Sequence, residues 1–82
     1  MLYNDSVSIT FSKHARRQLK RRNIPQKIVK KTVYNPKKTL SSFRGRKLRQ
    51  RQVGSKILEV VTVGEKSQVT VITAYYLEED EN

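Results

Sequence analysis

The pair Asn35-Pro36 divides this chain into two kinds of sequence. Proline lacks a backbone N–H and pushes the residue before it out of helical geometry, so no helix is expected to run through this point. Upstream, apolar residues recur at helical intervals. Downstream, they alternate or form short apolar blocks separated by glycine-containing turns.

On the helical side, Ser12 stands where an N-cap belongs, directly before KHARRQLKRR, and predicts a first helix from Lys13 to Arg22. Ala15 and Leu19, with Gln18 and Arg22 beside them, make a narrow stripe at helical spacing. Asn23 can close this helix in the left-handed conformation. Pro25 then opens a second helix through QKIVKKTVY, with Ile28, Val29, Thr32 and Val33 on its core face. Val7 to Phe11 alternates only briefly before Ser12. Downstream, strands are expected at Thr39 to Phe43, Lys47 to Val53, Ile57 to Val63 and Val69 to Tyr76, joined by Arg44-Gly45, Gly54-Ser55 and Gly64-Glu65. Such short links favour antiparallel hairpins. The last two strands are apolar on both faces and should be central, whereas the polar Lys47 to Val53 strand suits an edge. The expected fold is therefore α+β, two N-terminal helices packed on a small twisted antiparallel sheet of three to four strands.

At 82 residues and without cysteine, regular secondary structure must hold the chain together, since neither a disulfide nor a thiolate-bound zinc can help. One domain is expected over residues 1–77, followed at 78–82 by the acidic tail EEDEN, which by composition should be disordered. No apolar run is long enough to cross a bilayer, and MLYNDSVSITF lacks the basic start, long apolar stretch and cleavage site of a secretory signal. A cytoplasmic location with no membrane partner is expected.

Charge narrows the class of partner. Between Lys13 and Lys56 there are seventeen Lys and Arg residues and no Asp or Glu, while four of the seven acids fall at Glu78, Glu79, Asp80 and Glu81. The formal net charge of +11 is thus regional. Unopposed charge on this scale costs self-repulsion unless a polyanion neutralises it, and nucleic acid is the default polyanion.

Alternation along the Lys47 to Val53 strand places Lys47, Arg49 and Arg51 on one face, about 7 Å apart. Arg44 and Arg46 in the preceding turn lengthen the row, and a guanidinium fork matches two phosphate oxygens. The alternative is a solvated edge strand whose charges prevent aggregation. Arg16, Arg17 and the other cations of the first helix lack the spacing of a DNA-reading helix-turn-helix and supply general attraction. His14, the only histidine, lies amid Lys13, Arg16 and Arg17. A neutral imidazole there could accept the proton of a ribose 2′-hydroxyl, or it could merely pack or cap. Thr73 and Tyr75 share a strand face, and Tyr75 could stack on a base, donate a proton, or simply complete the core. Hydrolytic metal sites need clustered carboxylates or histidines, which the basic region lacks. No metal or other cofactor is expected. A cut made without metal points to RNA, which carries its own nucleophile.

The segment HARRQLKRRNI at 14–24, the NP at 35–36, the basic strand and the closing VITAYY resemble a family of small prokaryotic proteins of uncharacterised domain type, with the pattern H-A-x-x-R/Q-hydrophobic-x-x-R-G-I. That family resembles a branch of the RelE and BrnT toxin-like fold, grouped with barnase, EndoU and colicin nucleases. The resemblance runs from Ile9 to about Leu77 and implies a RelE-like architecture. It matches His14 to the family histidine, Gln18 to the R/Q position, Arg22 to the arginine before the turn, Arg49 or Arg51 to the basic strand position, and Thr73 and Tyr75 to the closing motif. Asn23 replaces the usual glycine and tolerates the same left-handed geometry.

The resemblance implies a metal-independent endoribonuclease of toxin–antitoxin type, acting on free or ribosome-bound RNA and held inactive by an acidic antitoxin. His14 would be the general base. Arg49 and Arg51 would hold the scissile phosphate, Thr73 or Tyr75 would position or protonate the leaving oxygen, and Arg16, Arg17, Arg22, Arg44, Arg46 and Lys47 would bind RNA. Two rivals stand beside it: a non-catalytic RNA-binding or ribosome-associated module of the same fold, and a protein whose basic face docks an acidic chain.

Overall fold

The structure, a computed structural model, describes residues 7–65 and 67–77. The expectation of a disordered tail at 78–82 lies outside the described residues. Both helices form where their local signals place them. Helix α1 spans Lys13–Arg22, and the Ser12 side chain accepts a hydrogen bond from the Ala15 N–H at 3.0 Å. Asn23 ends it at φ 56° and ψ 46°, its own N–H and that of Ile24 bonding back to the last turn. Helix α2 spans Gln26–Tyr34, with Pro25 as its N-cap and Asn35 as its C-cap.

The sheet corrects the expected architecture. It has five strands and is mixed: β1 (Ser8–Phe11), β2 (Lys38–Ser41), β3 (Lys47–Val53), β4 (Lys56–Glu65) and β5 (Gln68–Leu77), in the order β1-β5-β4-β3-β2. The chain therefore begins its described part with a strand, not with the helices. Strand β1 pairs in parallel with β5, from Ser8 opposite Gln68 to Phe11 opposite Val71. Four alternating residues are a weak local signal, and the pairing rests on burial of Phe11 in the shared core. The polar β3 is likewise not an edge, because β2 pairs outside it from Lys38 opposite Gln50 to Ser41 opposite Lys47. All four residues of β2 are exposed, so this short strand takes the edge position.

The hairpins β3–β4 and β4–β5 are antiparallel. Gly64, at φ 124°, lies so close to Gln68 that a Cβ would collide with its carbonyl oxygen, which reserves the position for glycine. Between Val61 and Thr62 the β4–β5 register shifts, because Ile72 is an extra residue in β5.

One buried cluster joins Ala15 and Leu19 of α1, Val29 and Val33 of α2, Phe11 of β1, Leu58 and Val60 of β4, and Val69, Val71 and Ala74 of β5. The helices therefore cover the sheet face that carries Leu58 and Val60. Each Val, Leu or Phe side chain among them gains about 1.5–3 kcal/mol on leaving water. By alternation, Glu59 and Val61 point to the opposite face. Leu40 and Ile57, also on that face, are 38% and 41% exposed, so no helix covers its outer part, while Glu59 and Val61 at its centre are buried. Among the described residues no helix is long and apolar enough to cross a membrane.

Candidate functional site

Strand β1 covers only Gln68–Val71 of β5, which leaves the outer edge of the rest of β5 for α1 to close. The Ser12 hydroxyl donates to the Ile72 carbonyl at 3.5 Å, and Arg22 Nη1 donates to the Ala74 carbonyl at 2.8 Å. Between them the Thr73 hydroxyl donates to Gln18 Oε1, which also accepts from Arg22 Nη1 at 3.3 Å. These bonds orient α1. His14, Gln18 and Arg22, four residues apart, form one stripe along the β5 edge, with His14 exposed one turn before Gln18.

On the open face, three adjacent strands place Gln50, Glu59 and Tyr75 side by side. Gln50 Nε2 donates to Glu59 Oε1 at 2.6 Å, and the Tyr75 hydroxyl donates to Glu59 Oε2 at 2.5 Å. Glu59 is only 7% exposed, and a carboxylate so placed needs such donors because burial otherwise disfavours its charge. Burial, followed by the hydrogen bond to Glu59 and that group's charge, pushes the Tyr75 phenol up to about 12, while Arg22 pulls it down. The phenol therefore stays protonated at neutral pH and keeps its hydrogen to donate. Lys38 stands opposite Gln50 in register, so the row Lys38, Gln50, Glu59, Tyr75 crosses four strands.

The strand cations occupy the other face. Lys47, Arg49 and Arg51 pair with Thr62, Val60 and Leu58, and so stand on the side the helices cover. Arg49 Nε donates to Thr62 Oγ1 at 3.1 Å, and Arg51 Nη1 donates to the Asn35 carbonyl at 2.9 Å. Burial pushes the Arg49 guanidinium below its ordinary value, although an arginine still holds its charge at neutral pH.

Of the residues expected to act together, the fold brings Arg22, Thr73 and Tyr75 to the region around the β5 edge and the open face, while His14 is exposed about two turns before Arg22 on α1. It does not bring Arg49 and Arg51 to them, because the sheet lies between. Arg16 and Arg17 are exposed elsewhere on α1, and Arg44 and Arg46 sit at the short helical turn Phe43–Gly45, where Arg44 has φ 63°. The guanidinium groups of Arg22, Arg49 and Arg51 donate to neutral oxygens, which orient a cation without cancelling its charge.

Sequence reasoning passed over Glu59, Gln50 and Lys38. The signal for Glu59 was present: a single acid inside the apolar run ILEVVTV of a strand expected to be central. Such a residue is either a packing error or a carboxylate with dedicated partners. Among the described residues, no three His, Cys, Asp or Glu side chains gather where they could hold a metal ion.

Comparison with curated proteins and with solved structures finds no match. A family model does match, over residues 11–76, and its description is a domain of unknown function, DUF4258. The matched segment runs from Phe11, at the end of β1, to Tyr76 and so takes in α1, the open-face row and the closing strand. On that match, the chain belongs to the DUF4258 family.

Proposed function

We propose that this domain binds RNA and cuts it without a metal ion, as an endoribonuclease of toxin–antitoxin type whose activity an acidic antitoxin restrains. The observation that carries the reading is the meeting of Gln18 and Arg22 with Thr73 and Ala74, next to Tyr75 and its bonded carboxylate, Glu59, with His14 exposed further along the same helix. Cleavage by the neighbouring 2′-hydroxyl needs a group to take its proton, a cation for the growing phosphate charge and a donor for the leaving oxygen. His14 is the exposed proton carrier, Arg22 a cation whose charge acts on Tyr75, and the Tyr75 hydroxyl would turn from Glu59 to the leaving oxygen. The net charge of +11 draws the polyanion in, and the resemblance of HARRQLKRRNI and VITAYY to a small uncharacterised family, itself similar to the RelE and BrnT toxin-like fold, supports the same reaction class.

The test is cleavage of a defined RNA in excess EDTA. The native chain should cut, and His14→Ala should lose rate by about a hundredfold or more. Unaltered cleavage by that variant removes His14 from the mechanism.

A second reading, a non-catalytic RNA-binding or ribosome-associated module, is favoured by one observation: Arg49 and Arg51 lie across the sheet from His14 and Tyr75. It expects salt-sensitive RNA binding, no cleavage, and little change in affinity for His14→Ala.

A further inference from the structure

Strand β3 runs past the start of β2, and at that corner the surface folds into a cleft of about 360 Å³ lined by Lys37, Lys38, Gln50, Arg51, Gln52 and Ile57. Three of these six side chains are cations, two are amides with N–H groups to donate, and none is an acid. Lys37 is anchored by its backbone N–H, which donates to the Gln50 carbonyl at 2.8 Å, while its side chain is exposed. Arg51 directs its guanidinium to the helix-covered side, where it donates to the Asn35 carbonyl at 2.9 Å. Such a set suits an anion with several acceptor oxygens.

The cleft is joined to the site already described. Gln50 lines it and also donates to Glu59 Oε1 at 2.6 Å, so one side chain touches both the cationic corner and the carboxylate row. From β2 to β5 are three strand spacings, about 14 Å, which is room for more than one nucleotide. Cations therefore stand at both ends of the row, Lys37 and Lys38 at one and Arg22 at the other, with Glu59 and Tyr75 between.

We infer that this corner cleft is a phosphate subsite that holds a flanking phosphodiester of single-stranded RNA and so leads the strand across the open face toward Tyr75. The inference rests on the RNA reading above and adds to it the direction of the strand and a second anchoring point. Half-exposed Ile57 offers an apolar wall against which a sugar or base can lie.

The experiment is an NMR titration of the whole chain with 2′-O-methylated oligouridine, which cannot be cut, and in parallel with inorganic phosphate. Oligouridine should shift the side-chain amides of Gln50 and Gln52. The double variant Lys37→Ala, Lys38→Ala should bind it about tenfold more weakly with a shallower salt slope. The control Lys30→Ala, Lys31→Ala, which removes the same charge from exposed positions on α2, should lose less. Oligouridine that binds both double variants equally, or that leaves the Gln50 and Gln52 amides still, overturns the subsite while RNA binding stands. Absence of RNA binding by the native chain, with or without a response to phosphate, overturns both.

Discussion

The two faces of the sheet solve the same polar problem in opposite ways. On the helix-covered face, Arg49 and Arg51 are charged groups that end on the neutral oxygens of Thr62 and Asn35. On the open face, Glu59 is a charged group held by the neutral donors Gln50 and Tyr75. Hydrogen bonds without an opposite charge orient an ion and leave its field available to something else. The covered face uses this to pack helices close to cations, whereas the open face leaves a half-buried phenol beside a buried carboxylate.

The comparison predicts a large difference in stability between neighbours in β4. Leu58→Ala, at a fully buried position under the helices, should cost about 2–5 kcal/mol, while Ile57→Ala on the open face should cost less than about 1 kcal/mol. Urea titrations measure both. Equal losses would mean that the open face is covered after all.

A smaller effect tests the Glu59–Tyr75 bond itself. The folded-state value of about 12 lies above the ordinary 10.0, so the phenol's contribution to stability is full below pH 10 and disappears as pH rises toward about 12. Tyr75→Phe should therefore be less stable than the native chain at neutral pH, with the gap closing through that alkaline window. Parallel curves for the two proteins would show that the phenol is not shifted in the folded chain.

The smallest effect concerns which face meets RNA. Arg22→Ala should weaken binding of single-stranded RNA several-fold and reduce the salt slope by about one, whereas Arg49→Ala should change affinity little. The reverse order would move the interface to the helix-covered side and favour the non-catalytic module.

Much of this fold was legible in particular residues. Ser12 and Asn23 mark the ends of α1 by chemistry that acts within a few residues, and both caps stand in the structure where their side chains and φ angles require. The apolar content of ILEVVTV and VTVITAYY placed β4 and β5 inside the sheet. Strand β1 was not legible as a strand, because a four-residue alternation acquires its partner from a segment about sixty residues away. The edge position of β3 failed for a related reason: the polar content of Lys47–Val53 says that it is half wet, but not that the four exposed residues of β2 lie outside it.

The candidate site divides in the same way. Alternation put Lys47, Arg49 and Arg51 on one face and Thr73 and Tyr75 on one face, but period-two patterns are symmetric and do not say which face of each strand adjoins which. Register decided that Arg51 lies beside Leu58 and Tyr75 beside Glu59, which separates the arginines from the phenol. Glu59 became visible as a site residue only when Gln50 and Tyr75 were brought to its two oxygens.

By itself, the order of residues determined the helices, their caps, the inner strands and the concentration of positive charge, because capping, periodicity and Coulomb repulsion act over short or purely additive ranges. Tertiary structure alone decided the parallel strand, the covered face and the company of Arg22, Tyr75 and Glu59. Those depend on which distant apolar surfaces are buried together, a choice that settles the orientation of every side chain on a strand at once.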